Sequence, residues 1–432
     1  CQIIAIGAMV AASAASQAAT IRVDWSGQGD DLTIQEGIDA SVHGDTVLVA
    51  PGTYTGALNR DINLGGRNMD LIAEGGRDLT VIDCQSEGRA FVLSNAETPY
   101  TTIQGFTIRN GYAEEGGAVH LNNSSASFME CAFEDNYGAY GGCFFLGQEA
   151  KPFIEYCTFT GNYASEYGGC IYTYAARPHI YECEFTGNSA GLSGGAISCK
   201  TSTVASILNN RFIENTSDDG GAIYVGTLFS QWDENLDTTT ILFNEFVGNT
   251  AERGGAVFLN SFSWVRVSWS TFARNSAEEG GALFCHMDAE GDLTVQMCTI
   301  VQNSASLGGG ICVAGSSPDN GLTVLQTIIA FSTQGRAQHR LDYSPIVTDL
   351  CCSYGNEGGD FLYGATTRNL VEVDPLFCDM YGEDYDLCEN SLCRSANNEW
   401  GFTIGSRRGI CSPCSSPVEA SSWGAIKAMY RP

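Results

Sequence analysis

A single phrase returns along this chain at near-constant spacing, and it restricts the fold more than any other feature. Its clearest copy runs Cys131-Ala132-Phe133-Glu134-Asp135-Asn136, followed by Gly141-Gly142-Cys143-Phe144. Phe159-x-x-Asn162 with Gly168-Gly169-Cys170-Ile171 repeats it, then Phe185-x-x-Asn188 with Gly194-Gly195-Ala196-Ile197. Phe212, Phe246 and Phe272 begin further copies that reach Asn215, Asn249 and Asn275, with glycine pairs at Gly220-Gly221, Gly254-Gly255 and Gly280-Gly281. Ile300-x-x-Asn303 with Gly308-Gly309 closes the run. A degenerate copy, Phe106-Thr107-Ile108-Arg109-Asn110 with Gly116-Gly117, opens it. Successive glycine pairs stand 25, 27, 26, 26, 34, 26 and 28 residues apart. Such a period marks a solenoid, in which one turn cannot bury its own inner face and its neighbours must cover it.

The copies read as strands. Short alternating apolar runs are broken by Gly and Asn, and no 3.6-residue periodicity appears. Aligned copies form columns. Five residues before the Phe stand Ile103, Phe128, Ile154, Ile180, Ile207, Ile241, Val267 and Val295. Two before it stand Phe106, Cys131, Cys157, Cys183, Asn210, Asn244, Ser270 and Cys298. The Asn column suits an inward ladder at a bend, since Asn tolerates left-handed backbone and its amide can bond the Asn above and below. The glycine pair suits a sharper corner. The expected fold is all-β: a right-handed parallel β-helix, its hand following the crossover rule for parallel strands.

F-x-x-N followed by GGA and an aliphatic residue resembles the repeat of polymorphic outer-membrane proteins of the chlamydial type. More broadly it resembles bacterial pectate-lyase-like β-helix proteins. The match spans about residues 100–312. It implies a passenger-like surface protein, often an adhesin, and supplies no catalytic site. The phrase from Gly44 to Tyr54 resembles the opening of secreted β-helix proteins. The phrases Cys351 to Asp360 and Asp374 to Cys378 resemble their endings.

Around the repeat, residues 1–18 read as a truncated signal peptide, apolar from Ile3 to Ala15 with a small-x-small site at Ser16-Gln17-Ala18. Export to a secreted or cell-surface location follows. Residues 19–44 read as an N-terminal cap whose helix starts at the capping box Thr33-x-x-Glu36 and buries Ile34, Ile38 and Val42. The β-helix is expected over 45–345, a Cys-rich segment over 346–414 and a tail over 415–432. The 34-residue step holds an insertion from Phe229 to Asp237. No stretch after the leader reaches the length of a membrane span.

Fifty acidic against 21 basic residues give a net charge of −29, which disfavours nucleic acid and anionic membrane surfaces. The chain holds 18 Cys. Those in the inward column read as small buried hydrophobes, although neighbours such as Cys143 and Cys170 stand near enough for a bridge. Cys388, Cys393, Cys411 and Cys414 suggest disulfides rather than zinc in an exported chain. The five His (His43, His120, His179, His286 and His339) share no metal-ligand spacing.

Two clusters carry candidate chemistry. Glu114, Glu115, Glu166, Asp218, Asp219, Glu252, Glu278 and Glu279 precede the glycine pairs and would stack as an acidic edge. Glu166, Asp218, Asp219, Glu252 and Glu278 could hold calcium there or act on a sugar; a solvated turn explains them as well. No cofactor is otherwise required. Tyr137 and Tyr163, Tyr140 and Tyr167, and Trp232 in the insertion offer ring faces to sugars or a protein; turn packing explains them as well. No nucleotide loop, HExxH or GxSxG is present. The expected function is non-catalytic adhesion or structural support at a surface, with a polysaccharide or cell-surface protein as partner. The alternative is a polysaccharide lyase or hydrolase on the same scaffold, since fold alone does not decide.

Overall fold

The computed structural model describes residues 18–226, 238–260, 264–287, 293–315, 321–406, 409–412 and 414. Most of the leader-like stretch, the insertion with Trp232 and the tail lie outside these residues. The chain winds as a right-handed coil. Each repeat adds one short strand to each of three parallel sheets, two of 13 strands and one of 10. Among the described residues, no helix is long and apolar enough to cross a membrane.

The register follows the columns read from the sequence. Phe128 pairs with Ile154, Ile154 with Ile180, and the column continues through Ile207, Ile241, Val267, Val295 and Val324 on the first sheet. On the second sheet Phe133, Phe159, Phe185, Phe212, Phe246 and Phe272 stack face to face at 4.9, 4.5, 4.8, 4.9 and 4.7 Å. All six are fully buried. The ~4.8 Å rise between parallel strands falls within the centroid spacing of offset-stacked rings, so one aromatic side chain repeated at one position packs on itself.

The bend after the second sheet is where the fold needs special chemistry. The residue before each ladder Asn takes left-handed backbone: Asp135, Gly161, Gly187, Glu214, Gly248, Arg274 and Gln302 have φ between 49° and 66°. The sequence placed that conformation on the Asn itself; the structure moves it one residue back. Left-handed backbone costs a non-glycine residue roughly 1–2 kcal/mol. It turns the next amide inward, away from any strand partner. The Asn of the following turn meets it. Asn136 N and Nδ2 both donate to Asn162 Oδ1 at 3.0 Å, and the pattern recurs through Asn188, Asn215, Asn249, Asn275 and Asn303. Each Nδ2 also donates to a carbonyl one turn back, as Asn215 does to Phe185 at 2.9 Å. In the degenerate copy Asn110 stands outside the ladder and bonds Asp83, while Gly111 donates its N–H to Asn136.

A second inward corner uses the Cys and Asn column. Asn210 and Asn244 repeat the amide pattern. The Cys131, Cys157 and Cys183 thiols donate instead to nearby carbonyls, including their own turn's Met129, Glu155 and Tyr181 at 3.3–3.4 Å. Burial pushes the Cys131 and Cys157 thiols well above their usual range. Thirteen described cysteines are free and buried, Cys143 and Cys170 among them. The glycine pair makes the third corner. A Cβ on Gly195 would stand 2.1 Å from Gly221 O of the next turn.

At the N-terminal end, Thr20–Val23 already pairs with Thr46–Val49 in the first sheet. The helix Ile34–Ala40 covers the coil with Ile34 and Ile38. Val42 falls beyond the helix and is exposed, a correction to the expected i+4 series. At the other end the coil continues past residue 345 through Ile346–Asp349, Cys352–Tyr354 and Leu370–Val371. The chain then folds back. Tyr385, Leu387, Cys393 and Ile404 pack on Ala273, Val301, Ile328 and Ala330 of the second sheet's outer face. Disulfides join Cys378 to Cys411 and Cys388 to Cys414.

Asn215→Ala strands a buried amide and a buried carbonyl, each worth ~1–3 kcal/mol, so a loss of about 3 kcal/mol is expected from urea midpoints. Asn110→Ala, outside the ladder, should cost no more than about 1 kcal/mol.

Candidate functional site

The residue after each GGA-aliphatic phrase points out of the coil on the third sheet. This column reads His120, Phe145, Tyr172, Ser198, Tyr224, Phe258, Phe284 and Cys312. The residue just before each glycine pair forms a facing column: Glu115, Tyr140, Tyr167, Ser193, Asp219, Arg253, Glu279 and Leu307. The glycine corner folds one column over the other. His120 Nε2 stands 3.3 Å from Glu115, and the Ser193 and Ser198 hydroxyls lie 3.4 Å apart. Tyr140 and Tyr167 lean over Tyr172 at 5.5 and 6.1 Å. The strip lies outside the coil, yet Ser198, Phe258, Phe284 and Cys312 are buried.

Its centre is charged. Lys200 ends the strand Ile197–Lys200 and sets its ammonium 3.7 Å from the ring centre of Tyr224 and 4.5 Å from that of Tyr167. The next turn carries Gly226 opposite Lys200, and a Cβ there would stand 2.4 Å from the Tyr224 ring. The Gly226 position is thus kept clear for that ring. Burial lowers the Lys200 pKa to about 8, with Asp219 acting in the opposite direction. Among the described residues no carboxylate forms an ion pair with Lys200, and its charge rests on ring faces. Arg253 grips Asp219 with two hydrogen bonds of 2.8 Å and lies over the Phe258 and Phe284 rings at 5.2 and 5.7 Å. Burial raises the Asp219 pKa against the opposing effect of Arg253.

The expected acidic edge is not built as expected. The column that holds Asp219 is mixed, and Asp219 is taken by Arg253. Glu166 accepts the hydroxyl of Tyr140, which raises the Tyr140 pKa. Asp218, Glu252 and Glu278 do follow one another, joined by backbone bonds of 2.9 Å, and all three are exposed. Their carboxylates do not converge: among the described residues only Cys378, Cys388 and Cys411 bring three potential ligand atoms within 4.8 Å of one another. Like charges at strand spacing repel and splay into water.

The tyrosines also differ from the expectation. Tyr137 stands between Tyr112 and Tyr163 at 5.0 and 5.3 Å, so its faces are used internally, while Tyr112 and Tyr163 stay exposed. Tyr140 and Tyr167 belong to the strip around Lys200. Trp232 lies outside the described residues. The sequence reading missed Lys200, Tyr224, Arg253 and Phe258. For Tyr224 and Phe258 the signal was the aromatic run one place beyond GGA-aliphatic, a column the aligned copies already contained.

The coil that carries this strip is that of a known class. Residues 89–329 match the family described as right handed beta helix region, and the chain belongs to that family. Among solved structures it is similar to the catalytic domain of a GH87 alpha-1,3-glucanase in complex with nigerose, at 12% identity and TM-score 0.39, over 80% of this chain and 68% of that one. It is also similar to pectate lyase Pel9A, at 12% identity and TM-score 0.37, over 88% and 92% of the two chains. No curated protein matches.

An Asp whose folded pKa is raised contributes stability that is full below its unfolded value and is lost as pH rises through the folded value. Arg253→Met removes the partner of that carboxylate. The variant should lose about 2 kcal/mol at pH 7 and markedly less at pH 4, compared by urea midpoints.

Proposed function

We propose that the protein is an extracellular, non-catalytic β-helix that holds an extended, carboxylate-bearing polysaccharide along the strip centred on Lys200. One observation carries this reading: a half-buried ammonium held between two tyrosine rings, with no carboxylate pairing it among the described residues. Its N–H groups are available to a ligand carboxylate, and the flanking rings supply apolar surface for sugar C–H groups. In a chain of net charge −29, a locally cationic, aromatic site stands apart from its surroundings. The strip is also long, as an extended chain of sugars requires. The leader-like N-terminal stretch and the two disulfides support an oxidising, exported location.

Hydrolysis is the weaker reading for this site. Glycoside hydrolysis ordinarily uses two facing carboxylates, and Asp219 is gripped by Arg253 while Asp218 is exposed. A β-elimination lyase has one observation in its favour. An amine with a pKa of about 8 is partly neutral near pH 7 and could take a proton from a sugar carbon.

The two readings separate on polyuronate substrates. Binding without turnover, by affinity electrophoresis and by absorbance of unsaturated products, supports the first; product formation abolished in Lys200→Met supports the second. For binding, Lys200→Met should weaken affinity at least tenfold while leaving thermal stability equal or higher, because a partly desolvated charge is removed. Wild-type affinity should fall as pH rises through about 8, where Lys200 loses its proton. Unchanged affinity in Lys200→Met would remove this site from the account.

A further inference from the structure

Beyond the coil, the segment after residue 375 brings three cysteines to one point and bonds a fourth to one of them. Cys378 lies on the strand Phe377–Asp379, Cys388 ends the antiparallel strand Asp384–Cys388, and Cys411 lies on Ile410–Cys411, in register with Cys388. Cys414 follows Cys411 in a C-x-x-C step. The Sγ atoms of Cys378, Cys388 and Cys411 all lie within 4.8 Å of one another, and Cys414 is bonded to Cys388. Sγ of Cys411 and Sγ of Cys388, which belong to different disulfides, stand 3.6 Å apart.

We infer that these four sulfurs form a tetrahedral thiolate site for zinc, or a like soft divalent cation, whenever the two disulfides are reduced. Four thiolates bound ~2.3 Å from a tetrahedral zinc stand about 3.8 Å from one another. The Cys388–Cys411 gap between the two disulfides is already close to that length, so reduction frees three ligands that stand together and a fourth, Cys414, beside Cys388. The C-x-x-C step supplies the tight pair found in structural zinc sites, and the other two ligands come from a rigid strand pair. The rest of the segment gives a reason for either cross-link. Its strands have two to five residues, and its apolar side chains are spent on the outer face of the coil. So small a sheet needs a staple, and a disulfide pair and a metal are alternative staples. Reduction by a dithiol or phosphine takes four electrons and four protons and yields four thiols. The cation then displaces four protons to solvent, with no further electron transfer. Cys393 stands apart from this group and faces Cys352 in the coil.

The test is cobalt titration of the chain reduced anaerobically by a phosphine. The expected result is one equivalent of Co(II) with the intense visible bands of a tetrahedral thiolate complex, bleached by zinc. Cys388→Ser and Cys414→Ser should each abolish those bands, and Cys393→Ser should keep them. Zinc should also restore to the reduced chain the protease resistance of the segment beyond residue 375. Reduced wild type that takes up no Co(II), bands that survive in both serine variants, or a segment that stays protease-sensitive with zinc would each overturn the assignment.

Discussion

The bond from an inward-turned amide to the asparagine of the next turn is the interaction on which the coil depends. Strand hydrogen bonds satisfy the flat faces of a parallel coil, but a corner breaks that pattern and leaves a buried donor without a strand partner. Such a donor, unmet, costs about as much as the loss of a good hydrogen bond, at every turn. The Asn side chain is short enough to stay inside and carries both a donor and an acceptor. It therefore meets the amide of one turn while bonding a carbonyl of the same neighbour, as Asn188 does with Asn162 N–H and the Phe159 carbonyl. Once the corner is fixed, the Phe column above it has only one place to go, and the rings stack.

Much of this was legible in the sequence because a solenoid writes its contacts as columns. Phe133 to Phe272 and Ile103 to Val295 are contact lists as well as alignments. The left-handed residue was misplaced by one because the chemistry of Asn, which tolerates that conformation, pointed to Asn itself. In the structure Glu214 and Arg274 accept it instead, since the turn demands it there. Asn110 misled for a related reason: it occupies the left-handed place, and glycine takes its place in the ladder.

The site was less legible because its residues come from two columns that the sequence keeps apart. The acidic edge read well as a run of Glu and Asp, yet position decides partner. Asp219 and Arg253 share a column and pair, whereas Asp218 and Glu252, one residue earlier, face water. Lys200 has no counterpart in the other copies, so no column announced it. Only the fold of the glycine corner shows that Tyr167 and Tyr224 enclose it.

The asparagine ladder has a direction. In every rung the later turn's side-chain oxygen accepts from the earlier turn's N–H groups, while the later turn's Nδ2 reaches back to a carbonyl of the earlier turn. A coil cut back from its C-terminal side therefore bares main-chain groups, the amide of an Asn and the carbonyl of a Phe, whereas one cut back from its N-terminal side bares the side-chain amide that served them. The two rims are chemically unlike, and while the chain emerges from the ribosome the newest face always awaits the asparagine side chain of the turn still to come.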